Sequence, residues 1–359
     1  MGPVVALPAF LFYNGPMMNK TTKILAIFFV SSIITWATET VPLTGLINPD
    51  SITVDKDNVY ITDGASISIY SRQDFKLKKK FGTAGEGPRE FKVAMGATAR
   101  LKICAQPDQL IVNSIGRVSF FTRDGNYISE INVQSGNNFI PLRNGFAGYA
   151  TTRDDKTLYL LINLYDAQLN KVKEIFRKEY YFQANKSMNI IMLGGGNTRR
   201  AVYSVFNNTL FVEGETDIIH VFDENGQKVR DIKLDYEKLK IPENRKAEIM
   251  DDIHALFIGP VVRKLIKDKG YFPASFPARI FNTTDDRIYI PTYRKSEGKN
   301  EFMIFNTQGK LLKKVYVPFS DKSLLLPYPY TVKDGKLYQL VENEDSEEWE
   351  LHIAEMEEK

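Results

Sequence analysis

The sequence predicts an all-β fold, a ring of six four-stranded antiparallel blades, and three observations predict it. Runs of alternating apolar and polar residues, rich in β-branched and aromatic side chains, fill most of the chain after residue 38. Tight polar turns break these runs, many of them built from Asp, Asn and Gly, which tolerate the positive φ of two-residue hairpins. The hairpins repeat six times, at intervals of about 45–80 residues. Four strands per unit in six units is the arithmetic of a six-bladed β-propeller.

The first segment reads as an address. Lys20 and Lys23 precede an apolar run of 11 residues, Ile24 to Ile34, and small residues follow before Thr38 and Glu39. A basic start, a short apolar stretch and a small residue before a polar start describe a secretory signal peptide. Its run is shorter than the roughly 20 residues a bilayer span needs. Cleavage is expected after Ala37, with Met17 or Met18 as the natural start, giving a signal at 1–37 and a propeller at 38–359. No stable membrane span is expected after cleavage. The expected location is secreted or periplasmic, in a bacterium.

The first hairpin of each unit is read at 51–62, 101–112, 149–160, 202–212, 279–290 and 330–340. A second hairpin follows in five of them, with turns near Arg72, Asp124, Asp166, Asn225 and Gln308. The sixth unit stops one strand short, at 350–356, while 39–47 is strand-like and has no partner of its own. This segment is expected to complete the last blade and close the ring, and Pro42 suits an outermost strand.

Two stretches carry a family resemblance. Phe81-Gly-Thr-Ala-Gly-Glu-Gly-Pro-Arg-Glu-Phe91 resembles the G-x-x-G-x-G-P-x-E-F junction of NHL-repeat and TolB-like bacterial six-bladed propellers. Tyr60-Ile-Thr-Asp-Gly-Ala-Ser-Ile-Ser-Ile-Tyr70 is similar to that group's blade core. The resemblance implies the same fold for residues 39–356. It leaves function open, since members include enzymes as well as interaction platforms.

The chemistry is sparse. One cysteine, Cys104, forms neither an internal disulfide nor a thiolate zinc site. It reads as a buried structural thiol in an inner strand. His220 and His352 fall in third strands and His254 in a predicted helix, so no histidine occupies an innermost strand, where propeller lyases that resemble this chain hold metal ligands. No metal and no cofactor is predicted. A net charge of +3 is too small for a nucleic-acid-binding face. Gly82, Gly85 and Gly87 precede strands rather than a helix, which makes a blade crossover and not a phosphate cradle. Nine acids between Glu342 and Glu358 read as a solvated edge.

Segment 236–270 breaks the strand pattern. Pro242 can start a helix, and Ile249, Ile253, Leu256 and Phe257 share one helical face, so a helical insertion is expected between blades four and five. The first-to-second and third-to-fourth turns should lie together on one face of the disc. The opposite face should hold the long links, read at 82–92, 134–147, 183–200, 236–278, 293–300 and 318–329. Binding residues are expected there, with Arg89, Arg199, Arg200, Glu213, Arg279, Tyr293 and Arg294 as candidates, because arginines beside aromatics grip anionic or planar groups. The expected function is an exported, monomeric, non-catalytic platform for a protein, peptide or glycan (saccharide) partner. The alternative is a metal-dependent enzyme of the lactonase or lyase type.

Overall fold

Alternation and turn chemistry place the strands, and the computed structural model shows how they assemble. It describes residues 38–356 apart from 88, 94–100, 135–136, 155–156, 180–202, 215–217, 236–238, 241–274, 277–280 and 324–325. The chain enters on β1 (Thr38–Leu43) and then builds blade 1 from β2 (Pro49–Val54), β3 (Asn58–Asp63), β4 (Ser66–Ser71) and β5 (Leu77–Phe81). Blade 2 is β6 (Lys102–Ala105), β7 (Gln109–Ser114), β8 (Arg117–Thr122) and β9 (Tyr127–Asn132). Blade 3 is β10 (Asn137–Leu142), β11 (Gly145–Asp154), β12 (Thr157–Tyr165) and β13 (Lys171–Glu179). Blade 4 is β14 (Tyr203–Phe206), β15 (Thr209–Glu213), β16 (Ile218–Phe222) and β17 (Lys228–Lys233).

A two-strand ladder, β18 (Leu239–Lys240) with β19 (Ser275–Phe276), stands in the link that follows. The rest of the expected helical insertion at 236–270 lies outside the described residues. Blade 5 is β20 (Asn282–Thr284), β21 (Arg287–Ser296), β22 (Lys299–Asn306) and β23 (Leu311–Val317). A second small ladder pairs β24 (Asp321–Ser323) with β25 (Leu326–Pro327). Blade 6 has β26 (Tyr330–Lys333), β27 (Lys336–Asn343) and β28 (Glu348–Glu355), and β1 pairs with β28 as its fourth strand. The ring is therefore closed by the N-terminal strand, as the sequence led us to expect. The innermost strands touch in an unbroken cycle: β2 with β6, β6 with β10, β10 with β14, β14 with β20, β20 with β26, and β26 with β2.

Among the described residues, an apolar cluster fills each of the six gaps between blades. Tyr60, Ile67 and Phe91 meet Leu110, Val112 and Phe121 between blades 1 and 2. Phe302 and Ile304 meet Leu337 between blades 5 and 6. Leu43 and Trp349 join Val59 and Ile61 where the ring closes. Strands sandwiched in this way bury both faces, so the middle strands read as nearly continuous apolar runs: β3 is buried at every residue but its last.

Turn glycines also serve the gaps. Gly125 has φ +72, and a Cβ there would come within 2.7 Å of the Phe81 ring of the preceding blade. Gly226 has φ +70, and its Cβ would come within 2.3 Å of Ile175 Cγ2 in blade 3. These turns need glycine both for backbone conformation and for close blade packing.

Two readings need correction. The third unit is out of phase by one strand: 149–160 is the β11–β12 hairpin, between second and third strands. The true first strand, β10, lies inside the 134–147 stretch read as an insertion. Pro141 disguised it. An innermost strand is also a sheet edge, where proline is tolerated. The 293–300 stretch is likewise not a loop but the extended end of the β21–β22 hairpin, turning at Glu297 and Gly298 with φ of 49° and 76°. Among the described residues, no helix is long and apolar enough to cross a membrane.

Candidate functional site

The two faces of the disc differ in what their side chains do. On the tight-turn face, charges tie one blade to the next. Asp55, in the β2–β3 turn, accepts hydrogen bonds from the Asp57 and Asn58 amides, each at 2.8 Å, and from the Tyr60 hydroxyl at 2.8 Å. Arg123 of blade 2 reaches back to it with Nε at 3.1 Å and Nη2 at 2.7 Å. Burial works against the Asp55 carboxylate, but these donors together outweigh it and hold the pKa below the ordinary value. The same arrangement recurs at ring closure. Arg72 of blade 1 pairs with Asp334 at 2.5 Å and donates to the Tyr338 hydroxyl at 3.0 and 3.2 Å. Lys333 and the Asp334 amide in turn hold Asp285 of blade 5. Arg72 and Arg123 occupy equivalent turn positions, one blade apart.

On the opposite face, polar ends of second strands fasten the incoming links. Asp63 accepts from the Ile47 and Asn48 amides at 2.9 and 2.8 Å. The Asn113 amide bridges the Phe139 N–H and C=O at 2.6 and 3.1 Å, and Gln339 does the same to Ser320 at 2.8 Å each way. The glycine junction folds on itself. Gly87 N–H donates to Glu90 at 2.7 Å, Phe91 is fully buried, and Arg117 caps the Gly87 carbonyl at 2.7 Å. It is a blade crossover, as read from the sequence.

The sequence candidates are spread around this face. Arg89 lies exposed in the junction at φ 69°, its guanidinium 5.2 Å from the centre of the Tyr127 ring. Glu213 ends β15 in blade 4. Burial raises its pKa above the ordinary value, and Lys178 of blade 3 only partly offsets this. Tyr293 and Arg294 lie in β21, at the register shift between Pro291 and Lys295. Arg199, Arg200 and Arg279 lie outside the described residues.

What the sequence reading missed is the carboxylate beside Arg294. Glu301 is buried, its side chain only 5% exposed, and accepts from the Thr292 hydroxyl at 2.9 Å. Arg294 Nε stands 3.8 Å away and Lys314 Nζ 3.9 Å. The available signal was an acid at a strand position next to the run Phe302-Met-Ile-Phe305, where a core residue belongs. The carboxylate is thus held by a hydroxyl from β21 and flanked by two cations from β21 and β23, all within blade 5.

The remaining sequence candidates have packing roles. The Cys104 thiol faces the Phe139 carbonyl, with a sulfur–oxygen distance of 3.7 Å, and burial pushes its pKa up to about 12. His220 bonds Asp231 at 2.6 Å and packs 5.4 Å from the Phe176 ring. His352 bonds Glu350 at 2.9 Å. His254 lies outside the described residues. Among the described residues, no three His, Cys, Asp or Glu side chains gather in a way that would hold a metal ion.

No family model matches the chain, and no curated protein matches it. Among solved structures it is similar to BamB from Moraxella catarrhalis, at 11% identity and a TM-score of 0.32, covering 86% of this chain and 73% of that one. It is also similar to BBS1N, solved in complex with ARL6DN, at 13% identity and 0.36, covering 84% and 74%. The AfRom2 CNH domain is similar at 9% identity and 0.38, covering 89% and 100%. All three fall below a TM-score of 0.5, so the propeller assignment rests on the blade topology itself.

Proposed function

We propose that this chain is an exported, non-catalytic propeller that holds a protein, peptide or saccharide on the face opposite its tight turns. The observation that carries the reading is the division of labour between the faces. Charges of the tight-turn face are joined across blades, at Asp55–Arg123, Asp334–Arg72 and Asp285–Lys333. The opposite face holds the long links and, on the extended blade 5 hairpin, the Glu301, Thr292, Arg294 and Lys314 group. The signal-like segment at 20–37 supports the export part of this reading.

The test uses peptide and glycan arrays probed with the mature protein. Reversing Arg279 and Arg294 together (Arg279→Glu with Arg294→Glu) should abolish capture of whatever the wild type retains. Lys56→Glu, in a tight turn, should leave capture intact. The opposite pattern would mean that the other face is the working one.

A further inference from the structure

The outer strand of a blade presents a row of unpaired N–H and C=O groups, and another chain will add to such an edge unless something prevents it. Five of the six outer ladders share one irregularity. The register slips just before the third-to-fourth turn, between Ile69 and Tyr70, Phe120 and Phe121, Leu164 and Tyr165, Val221 and Phe222, and Ile304 and Phe305. The extra residues on the outer strands are Lys78, Ile128, Val172, Val229 and Leu312. Four of these are apolar yet well exposed: Ile128 51%, Val172 66%, Val229 51% and Leu312 42%. A bulge bends the strand and breaks the even spacing of donors and acceptors that a newcomer must match. It also explains why apolar side chains stand in solvent at matching places: they are the residues displaced from the ladder.

Blade 6 is different. Its outer strand pairs with β28 in perfect register over six positions, from Thr38 opposite Ala354 to Leu43 opposite Trp349. Alone among the six outer strands, it contains a proline, the exposed Pro42. Proline has no N–H, and a sheet tolerates it where its nitrogen faces the open side of an edge.

We propose that all six rims are closed to strand addition by two devices, a shared bulge in blades 1 to 5 and Pro42 in blade 6. The propeller therefore stays monomeric and engages partners through side chains on a disc face, not by extending a blade. The part about partners rests on the binding-platform reading; the closure of the rims does not.

Sedimentation equilibrium of the mature protein, without any ligand, tests it from micromolar to submillimolar concentration. The wild type should remain a monomer. Pro42→Thr restores an N–H at an exposed site. It should keep the wild-type melting temperature while its apparent mass at least doubles with concentration. Adding Thr40→Pro, which removes an N–H on the same side of the strand, should restore the monomer. Deleting Val229 removes the bulge in β17 and should also cause assembly. A folded, strictly monomeric Pro42→Thr variant would overturn the proposal even if the Val229 deletion failed to fold. A wild type that assembled through its rims would overturn it too. Because no ligand enters the measurement, either failure leaves the binding-platform reading untouched.

Discussion

Removing Asp55 should loosen the joint between blades 1 and 2 by a measurable and pH-dependent amount. Asp55→Ala takes away the acceptor for the Tyr60 hydroxyl, for two turn amides and for Arg123. Hydrogen bonds to a charged group contribute about 1.5–3 kcal/mol each in the best cases, but the turn amides regain water. The ion pair is partly exposed, with side chains 26% and 15% accessible, so screening holds its own share to about 1 kcal/mol. The expected total is about 3 kcal/mol, or roughly 5 °C in melting temperature for a domain of this size. Arg123→Met should cost about 1 kcal/mol, and the double variant should lose less than the two single losses added together. The pH dependence has a definite sign. The folded pKa lies below the ordinary 3.8, so this stabilisation is complete above that value and is lost as pH falls through the folded pKa. The deficit of Asp55→Ala should be constant from pH 7 to 5 and shrink below about pH 4. Calorimetry at each pH decides it. A purely additive double variant, or a deficit that grew in acid, would refute the argument.

Three further outcomes follow from particular contacts. Deleting residues 38–43 should strip Leu43 from the cluster around Trp349 and open the ring, replacing one cooperative melt by a broad transition in circular dichroism. Gly226→Ala should cost more than Gly116→Ala. Both glycines have φ near +70°, but only Gly226 lacks room for a Cβ. Left-handed strain alone accounts for about 1 kcal/mol, and chemical denaturation should show at least about twice that at Gly226. Cys104 is only partly buried, but its thiol faces the Phe139 carbonyl and its pKa is pushed up to about 12, so it should react more slowly with a thiol reagent at pH 8 in the native protein than in denaturant.

The blades were legible in the sequence because each hairpin carries its own signal within a dozen residues. Alternation marked the strands, and turns such as Asp124-Gly125, Asn207-Asn208 and Asn225-Gly226 marked their ends. Closure by the first strand was legible too, since the sixth unit lacked a strand and the N-terminus held a spare. Blade 3 was misread where two local signals conflicted. Pro141 argued against β10, while Asp154-Asp155 imitated a first-to-second turn. The joints between blades were illegible for a different reason. Arg123 and Asp55 are 68 residues apart, and Arg72 and Asp334 are 262 apart; nothing in either local stretch names its partner. Only the stacking of blades supplies it. Glu301 escaped notice because its neighbours, Thr292 and Lys314, come from two other strands of the blade.

That difference between local and non-local signals bears on which face can bind. A charge already held by a partner must be released before it can serve a guest, and release leaves a half-buried group uncompensated. On the tight-turn face, recruiting Asp55 would release Arg123, and recruiting Asp334 would release Arg72 of blade 1 as well as Lys333. Binding there would weaken the ring. At the blade 5 hairpin the balance is different. Glu301 keeps its bond to Thr292, and the two cations stand 3.8 and 3.9 Å off. None of these three contacts is a joint between blades. Contacts made at Glu301 would therefore leave the joints Asp55–Arg123 and Asp334–Arg72 intact, which is the reason for placing the proposed platform on this face.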